Sequence, residues 1–420
     1  MDAQQLHQLF LKQGEVSTDS RAITKGSLFF ALSGANFNGN TFAEQALEKG
    51  ASYVIVDDLN YYKEADSRYL LVKDSLKALQ ELATTHRNYC KTPMIALTGS
   101  NGKTTTKELI HAVLKTSYNT LATEGNFNNH IGVPLTLLQL TKETELAIVE
   151  MGANHRGEIQ QLASIAQPNY GYITNFGMAH LEGFGSKEGV IKGKSELYDY
   201  LRKEQQWIFY NPKDAKQIDL LKDYTHKIAT ATDQCQIHST KELLELSYKG
   251  QLLQSQLVGS YNADNIAAAI GMGIYFKVPF TKIKAAIEGY VPKNNRSELL
   301  KKGSNLIILD AYNANPSSMK AALDNFQQLN TSKQKVLILG SMLELGSYSK
   351  KAHQELIDQA NQITNKLYLV GKEFKELSRT SFENTKALQQ HLKQHPLTNS
   401  YLLIKGSRGI ALEQLLEDIN

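Results

Sequence analysis

The apolar run Met94-Ile95-Ala96-Leu97 opens directly into Thr98-Gly99-Ser100-Asn101-Gly102-Lys103-Thr104-Thr105, and few folds can use that order. The apolar residues read as a buried strand, and a helix is expected from 103 to about 115. Between them, the backbone N–H groups of the Gly99-to-Gly102 turn can face phosphate oxygens. Lys103 supplies a point charge, the Thr104 hydroxyl suits Mg²⁺, and the helix adds its positive end. A chain built on this unit folds as an α/β protein. The common form of the loop has another glycine five residues before the Gly-Lys pair, where this chain has Leu97. The loop is therefore a shortened variant, which disfavours adenylate kinase-like and GTPase-like readings.

At 420 residues the chain is long for one core, so two or three domains are expected. With 46 basic and 42 acidic residues, the near-balance leaves no electrostatic footprint for nucleic acid or a membrane surface. Cys90 and Cys235 lie far apart and form no metal-type spacing, which fits a reduced, cytoplasmic compartment. Residues 1–10 lack the pattern of a signal peptide, and no apolar run approaches the length of a membrane span.

Three α/β blocks follow from the pattern. Residues 1–88 carry short apolar runs at 28–32, 53–56 and 69–72, with helices expected at 42–49 and 75–86. Residues 89–293 hold the phosphate-loop strand, further buried strands at 146–150 and 170–174 in a largely parallel sheet, and a small-residue helix at 262–275 able to pack closely. A more polar β region, 227–258, reads as an antiparallel edge, and 291–295 as a linker. Residues 294–420 alternate strands (306–310, 335–339, 367–370, 400–404) with helices (316–328, 349–362), a Rossmann-like, doubly wound pattern.

Ligands in open α/β sheets bind at the carboxyl ends of strands. Glu150 ends one such run and is placed to hold Mg²⁺ or to face solvent; His180 lies in the glycine-bearing loop after the next strand. Lys192 and Lys194 share a predicted helix, and spacing alone gives neither a catalytic role. His130 and His155 read as satisfied or exposed histidines. Arg296 and Asp310 flank the first strand of the third block, and Lys405-Gly406-Ser407-Arg408 follows its last, where anionic ligands can bind.

Together these runs resemble the Mur ligase family over nearly the full length. The resemblance rests on Asp19-Ser20-Arg21, Gly26-Ser27-Leu28-Phe29-Phe30-Ala31-Leu32, the shortened loop, Thr123 to Thr136, Glu150-Met151-Gly152-Ala153 and Ala179 to Ser186. Asp310-Ala311-Tyr312-Asn313-Ala314-Asn315-Pro316-Ser317-Ser318-Met319 and Lys405-Gly406-Ser407-Arg408 complete it. The last three runs resemble the family member that adds D-Ala-D-Ala, and the Asp-Asn-Pro-Arg signature of the member that adds the third residue is absent.

What the resemblance implies is specific. ATP would phosphorylate the terminal carboxylate of UDP-MurNAc-tripeptide, and the amine of D-Ala-D-Ala would attack the acyl phosphate, in cytoplasmic peptidoglycan synthesis. A three-domain monomer is expected, with an N-terminal UDP-binding domain, a central ATP-binding domain and a C-terminal domain. Gly99, Ser100, Asn101, Gly102, Lys103, Thr104 and Thr105 would hold the phosphates, Asn262, Asn265 and Arg296 the adenine end, and Asp310 the ribose. Ser20 and Arg21 would contact UDP. Asn128, Asn129, Asn313 and Asn315 would serve the substrates, the last two D-Ala-D-Ala. Mg²⁺ would bind at Thr104, Glu150, His180 and a carbamylated lysine matching Lys194, with Lys192 the alternative; Lys103, His180 and Lys194 would be catalytic.

Two departures stand out. The family's N-terminal loop commonly reads Asp-Gly-His where this chain has Asn38-Gly39-Asn40, and Gly-Asp-Met where it has Gly340-Ser341-Met342. Two other readings compete. A folylpolyglutamate synthase would have no need of the UDP-type block around Asp19-Ser20-Arg21, and a P-loop switch ATPase would hydrolyse ATP without regard to an amine.

Overall fold

Runs of wholly buried side chains mark the strands, because a strand covered on both faces cannot alternate. Met94–Thr98 and Leu146–Glu150 are buried at every position, as is Ser400–Lys405. The computed structural model describes residues 1–293, 295–378 and 380–419. These divide into two compact units. One comprises Met1–Leu97, Tyr118–Gly152 and Glu158–Gly171; the other comprises Thr98–Ser117, Ala153–Gly157 and the chain from Tyr172 onward.

The first unit holds a parallel four-stranded sheet in the order Val16–Ser17, Leu28–Phe30, Tyr53–Val56, Tyr69–Leu71. Its core gathers Phe29, Ala46, Val54 and Val56. Helix Ser75–Cys90 starts where the Asp74 carboxylate accepts from the Lys77 N–H and ends where Lys91 turns left-handed; it buries Leu79, Leu82, Ala83 and His86. It runs one turn beyond the expected 75–86, because that buried stripe continues through His86 and Arg87. The stretch expected as helix from 42 to 49 forms helix Ala43–Glu48, preceded by a 3₁₀ turn Gly39–Phe42. In the same unit Met94 to Leu97 pair in parallel with Ala147 to Glu150, and Thr120–Ala122 lines the other side of Leu146–Glu150.

The second unit contains the helix after the phosphate loop, Lys103–Leu114, and helix Ala263–Tyr275 packed against it. The small residues of that helix permit the approach, since a Cβ at Gly273 would lie 2.7 Å from Val113 Cγ1. Trp207–Tyr210 pairs in parallel with Lys227–Ala229. The region expected as an antiparallel edge, 227–258, therefore divides. Its first strand is parallel, and Cys235–Ser239, Glu245–Tyr248 and Gln251–Gln254 form a separate three-stranded antiparallel sheet. Tight two-residue hairpin geometry at Lys249 and Gly250, both at positive φ, closes the last two strands on each other.

A six-stranded sheet ends the unit, ordered Glu298–Lys302, Asn305–Asp310, Ser400–Lys405, Gln334–Gly340, Leu367–Val370, Ser381–Phe382. All its pairs are parallel except the first. Helices Pro316–Gln328, Ser349–Ile363 and Thr385–Gln394 alternate with the strands. Asp310 and Leu339 are the register neighbours of Lys405, so three strand ends meet where a doubly wound sheet binds ligands. Of the expected linker 291–295, Asn294 lies outside the described residues. No helix among the described residues is long and apolar enough to cross a membrane, and both cysteines are free thiols.

Candidate active site

The phosphate loop takes its shape from two glycines in backbone conformations that strain any other residue. Gly99 has φ 146°, and a Cβ there would lie 2.0 Å from Thr174 Oγ1; Gly102 has φ 77°, and a Cβ there would lie 2.7 Å from Asn265 Oδ1. Gly102 heads helix Lys103–Leu114 without any side-chain cap, as an anion-facing terminus requires. The Lys103 ammonium folds over the loop and donates to the Gly99 carbonyl at 2.8 Å. Two loop amides are already committed within the protein: Ser100 N–H donates to the Asn175 carbonyl and Asn101 N–H to Asn175 Oδ1, each at 3.1 Å. The Asn101 carbonyl in turn accepts from Thr174 Oγ1 at 2.6 Å and Asn175 Nδ2 at 3.0 Å. Thr174 and Asn175 were not among the expected site residues. Their signal was position, immediately after a buried strand.

Asn262 and Asn265 are buried beneath the first turn of the loop helix. Thr106 Oγ1 donates to Asn265 Oδ1 at 2.9 Å, Asn265 Nδ2 to Asn262 Oδ1 at 2.8 Å, and Asn262 Nδ2 to the Val258 carbonyl at 2.8 Å. Thr104 and Thr105 are buried on the same helix. In the first unit, Glu150 is 1 % exposed at its strand end; Asn128 Nδ2 donates to its Oε1 at 2.8 Å, and Thr123 Oγ1 accepts from its N–H. Asn129 instead turns its Oδ1 to the N–H groups of Ile131 and Gly132, ordering the start of the next helix.

The loop expected to be shaped by its glycines contains one helical turn, Leu181–Phe184, headed by His180 in the left-handed region. Its single turn forms because the Phe184 and Gly185 N–H groups find the carbonyls of His180 and Leu181. His180 Nδ1 meets Glu344 Oε2 at 2.5 Å, and the contact holds the Glu344 carboxyl below the usual carboxylate range. Helix Lys187–Lys203 separates the two candidate lysines by face: Lys192 is exposed, whereas Lys194 is wholly buried. Lys194 donates to the Ala153 carbonyl at 3.1 Å and lies over the Phe184 ring. His130 and His155 are both exposed. Among the described residues no group of three or more His, Cys, Asp or Glu side chains is gathered to hold a metal.

On the C-terminal sheet, Asp310 Oδ2 accepts from Lys405 Nζ at 2.5 Å and Asp310 Oδ1 from the Ser297 N–H. The Arg296 guanidinium stacks 3.6 Å from the centre of the Tyr312 ring, with Arg408 on the same tyrosine at 5.3 Å; Arg296 Nε is buried with no acceptor among the described residues. Tyr312 was read only as part of a motif, yet it orients both arginines. Asn313 Oδ1 accepts from the Ala314 N–H. Asn315 caps helix Pro316–Gln328 and also reaches Asn101, its Nδ2 donating to Asn101 Oδ1 at 2.7 Å.

In the N-terminal sheet unit, Arg21 forks onto Asp19, which pulls the Asp19 carboxyl down to about 2; both side chains are exposed. Ser20 offers its carbonyl to Lys49 Nζ at 2.7 Å. The departures at Asn40 and Ser341 are both buried. Asn40 Nδ2 donates to Asp57 Oδ1 at 2.8 Å and its Oδ1 accepts from the Asp57 N–H, while Asp57 Oδ2 accepts from the Ser75 N–H at the head of a helix. Ser341 packs so closely that a Cβ at Gly371 would lie 2.0 Å from its Oγ.

Comparison with known proteins matches the chain in three segments. Residues 14–87 match the Mur ligase family catalytic domain, 97–273 the Mur ligase middle domain, and 295–414 the Mur ligase glutamate ligase domain. The UDP-N-acetylmuramoyl-tripeptide–D-alanyl-D-alanine ligase of Bacillus subtilis (strain 168) is 36% identical over 96% of this chain and 92% of its own. A crystal structure of MurF from Acinetobacter baumannii superposes with a TM-score of 0.87 at 30% identity, covering 99% of this chain and 98% of that one. MurF ligase from Thermotoga maritima in complex with ADP gives 0.84 at 25% identity, with 97% of each chain covered.

Proposed function

The chain belongs to the Mur ligase family, and we propose that it is the ATP-dependent ligase joining D-Ala-D-Ala to the terminal carboxylate of UDP-MurNAc-tripeptide. The observation that carries this reading is end-to-end similarity to a ligase of that name, together with a phosphate loop already shaped by Gly99 and Gly102. The reaction belongs to cytoplasmic peptidoglycan precursor synthesis, a compartment that also keeps Cys90 and Cys235 reduced. The three matched segments support a division into domains 1–88, 89–293 and 294–420.

The substrate carboxylate attacks the γ-phosphorus, the bond to the ADP oxygen breaks, and an acyl phosphate forms. The D-Ala-D-Ala amine then adds to the acyl carbon, loses a proton, and phosphate leaves. Phosphoryl transfer asks the protein chiefly for positioning and charge neutralisation. Lys103 does this by exchanging its loop-carbonyl contact for phosphate oxygens, while the uncapped helix behind it adds its positive end. Asn262 and Asn265, which hold the base of that helix, are assigned with the stacked Arg296 to the adenine end of ATP, and Asp310 to its ribose. Ser20 and Arg21 serve UDP, with Arg21 trading Asp19 for phosphate oxygens. Asn128 and Asn129 in the first unit, and Asn313 in the second, are assigned to the substrates.

The Thr104 hydroxyl and the Glu150 carboxylate are each an oxygen donor of the type Mg²⁺ takes, and by that chemistry each would suit an ion that neutralises the ATP phosphates. His180 fits a second position: Glu344 holds its Nδ1 and so fixes the ring for ligation through Nε2. An ammonium buried as fully as Lys194 is costly, and carbamylation would exchange it for an anionic oxygen ligand. The exposed Lys192 has no such incentive.

The test is phosphate release from ATP. Release should require both UDP-MurNAc-tripeptide and D-Ala-D-Ala and should vanish in Lys103→Ala; release indifferent to the two substrates would refute the ligase reading. Intact-mass measurement in bicarbonate should show one CO₂ adduct that Lys194→Ala removes and Lys192→Ala keeps. An adduct that survives Lys194→Ala would move the carbamate elsewhere.

A further inference from the structure

We infer that Asn315 is a positioning residue for phosphoryl transfer, setting the phosphate loop through a side-chain hydrogen bond to Asn101. This rests on the ligase reading above but goes beyond it, because the contact joins two loops 214 residues apart in sequence.

Asn315 is 5 % exposed, and both ends of its side-chain amide have a partner. Oδ1 accepts from the Ser318 N–H at 3.0 Å as the N-cap of helix Pro316–Gln328, and Ser318 Oγ answers by accepting from the Asn315 N–H. With the oxygen assigned to the cap, the nitrogen must face Asn101 Oδ1, which fixes the orientation of both amides. Asn101 stands at the middle of the loop between Gly99 and Gly102. Its backbone is held on one side by Thr174 and Asn175, and its side chain on the other by Asn315.

Two neighbouring contacts bring the same turn to the same place. Ser317 Oγ accepts from the Met178 N–H at 2.7 Å, and Gly177 leaves room for it, since a Cβ there would lie 2.9 Å from Ser317 Oγ and 2.8 Å from Asn101 Nδ2. Ser100 Oγ donates to the Gly177 carbonyl at 2.8 Å. The turn 315–317 thus braces the loop through residues whose own partners are loop residues. A loop held on both sides keeps its N–H groups and Lys103 in register with the phosphates. Released on the Asn315 side, it would bind ATP in more than one shape and spend less time in the reactive one.

Asn315→Ser and Asn315→Asp separate this role from capping, because both residues cap helices as well as asparagine but neither offers an N–H to Asn101. With the ligase assay, each should lose about three- to tenfold in kcat/KM for ATP, the effect of one hydrogen bond; Asn315→Ser should melt only slightly below wild type, and the buried carboxylate of Asn315→Asp should lower the melting temperature further. KM for D-Ala-D-Ala should not change. Asn101→Ala should lose a similar factor, and the double variant Asn101→Ala/Asn315→Ser should be no worse than the poorer single variant. Wild-type kinetics in Asn315→Ser would overturn the inference, as would losses that multiply in the double variant. A rise confined to KM for D-Ala-D-Ala would overturn it in favour of direct contact with the amine substrate. Calorimetric binding of a non-hydrolysable ATP analogue to the same four proteins needs no second substrate. It reads the coupling even if the ligase reading fails, and a non-coupled binding cycle also counts against the inference.

Discussion

Replacing Gly99 by alanine tests whether the loop's shape is set by backbone necessity. The structure specifies the cost. At φ 146° an L-residue pays about 1–3 kcal/mol in backbone strain. The new Cβ would lie 2.0 Å from Thr174 Oγ1 and 3.0 Å from Thr174 N, so Thr174 must move. Moving it breaks the Thr174 hydroxyl bond to the Asn101 carbonyl, worth about 1 kcal/mol, and overpacks the site by about 1–3 kcal/mol more. Gly250 is the control, because its φ of 80° is also positive but a Cβ there would meet nothing within 4 Å. Gly250→Ala should therefore cost only about 1 kcal/mol. The single tryptophan, Trp207, lies in the same unit and reports unfolding in urea by fluorescence. Gly99→Ala should lower the midpoint several times further than Gly250→Ala and should raise KM for ATP. Adding Thr174→Ala should recover about 1–2 kcal/mol by removing the overlapping oxygen while leaving the strain. Equal midpoints for Gly99→Ala and Gly250→Ala would refute the reasoning. So would a double variant less stable than Gly99→Ala.

Asn40→Asp should place a carboxylate 2.8 Å from Asp57 Oδ1 in a site only 2 % exposed, costing about 2–4 kcal/mol near pH 7. The loss should shrink as pH falls and one carboxyl takes a proton, and amide exchange of helix Ser75–Cys90 should show faster opening that slows relative to wild type in acid. The buried pair His7 and His86 predicts an acid-labile first unit. His86 Nε2 lies 2.8 Å from the Leu140 carbonyl and so carries the proton, which leaves its Nδ1 to accept from His7 Nε2 at 3.1 Å. Burial lowers both pKa values from 6.5, with His86 adding to the effect on His7. The unfolded chain then binds protons more readily, so stability is intact above about pH 6.5 and declines as pH falls below it. Protection of the amides of helix Ala3–Gln13 against exchange should fall as pH drops below about 6.5, and His7→Phe should flatten that response.

Much of the fold was legible from short apolar runs. Leu146–Glu150, buried at every position, and Leu367–Val370, buried in its second half, were bounded from sequence as the structure has them, and Asn305–Asp310 and Gln334–Gly340 differ only at their ends. The short edge strand Val16–Ser17 escaped notice for the opposite reason: it is only half-buried and two residues long, so neither a continuous apolar run nor an alternation can form. Lys227–Ala229 fell in a region expected as β, but its parallel pairing was not expected. The antiparallel sheet from Cys235 to Gln254 was recognised as β, but its separation from the parallel strands depends on partners distant in sequence.

The site divides along the same line. Gly99, Gly102 and Lys103 announce themselves by local chemistry, whereas Glu344 reaches His180 across 164 residues and Asn315 reaches Asn101 across 214. Sequence patterns name a group and leave its partner open. Yet burial converts an ordinary local signal into a demand for a distant one. Asn384 and Asn315 cap their helices in the same way, each accepting an N–H three residues on at 3.0 Å. Asn384 is exposed and its amide nitrogen can give both protons to water. Asn315 is 5 % exposed, and a buried donor left without an acceptor costs about 1–3 kcal/mol. Aspartate would cap helix Pro316–Gln328 equally well and carry no donor at all. What asparagine adds at that position is a donor, and the structure gives that donor one acceptor, Asn101 Oδ1, in the middle of the phosphate loop.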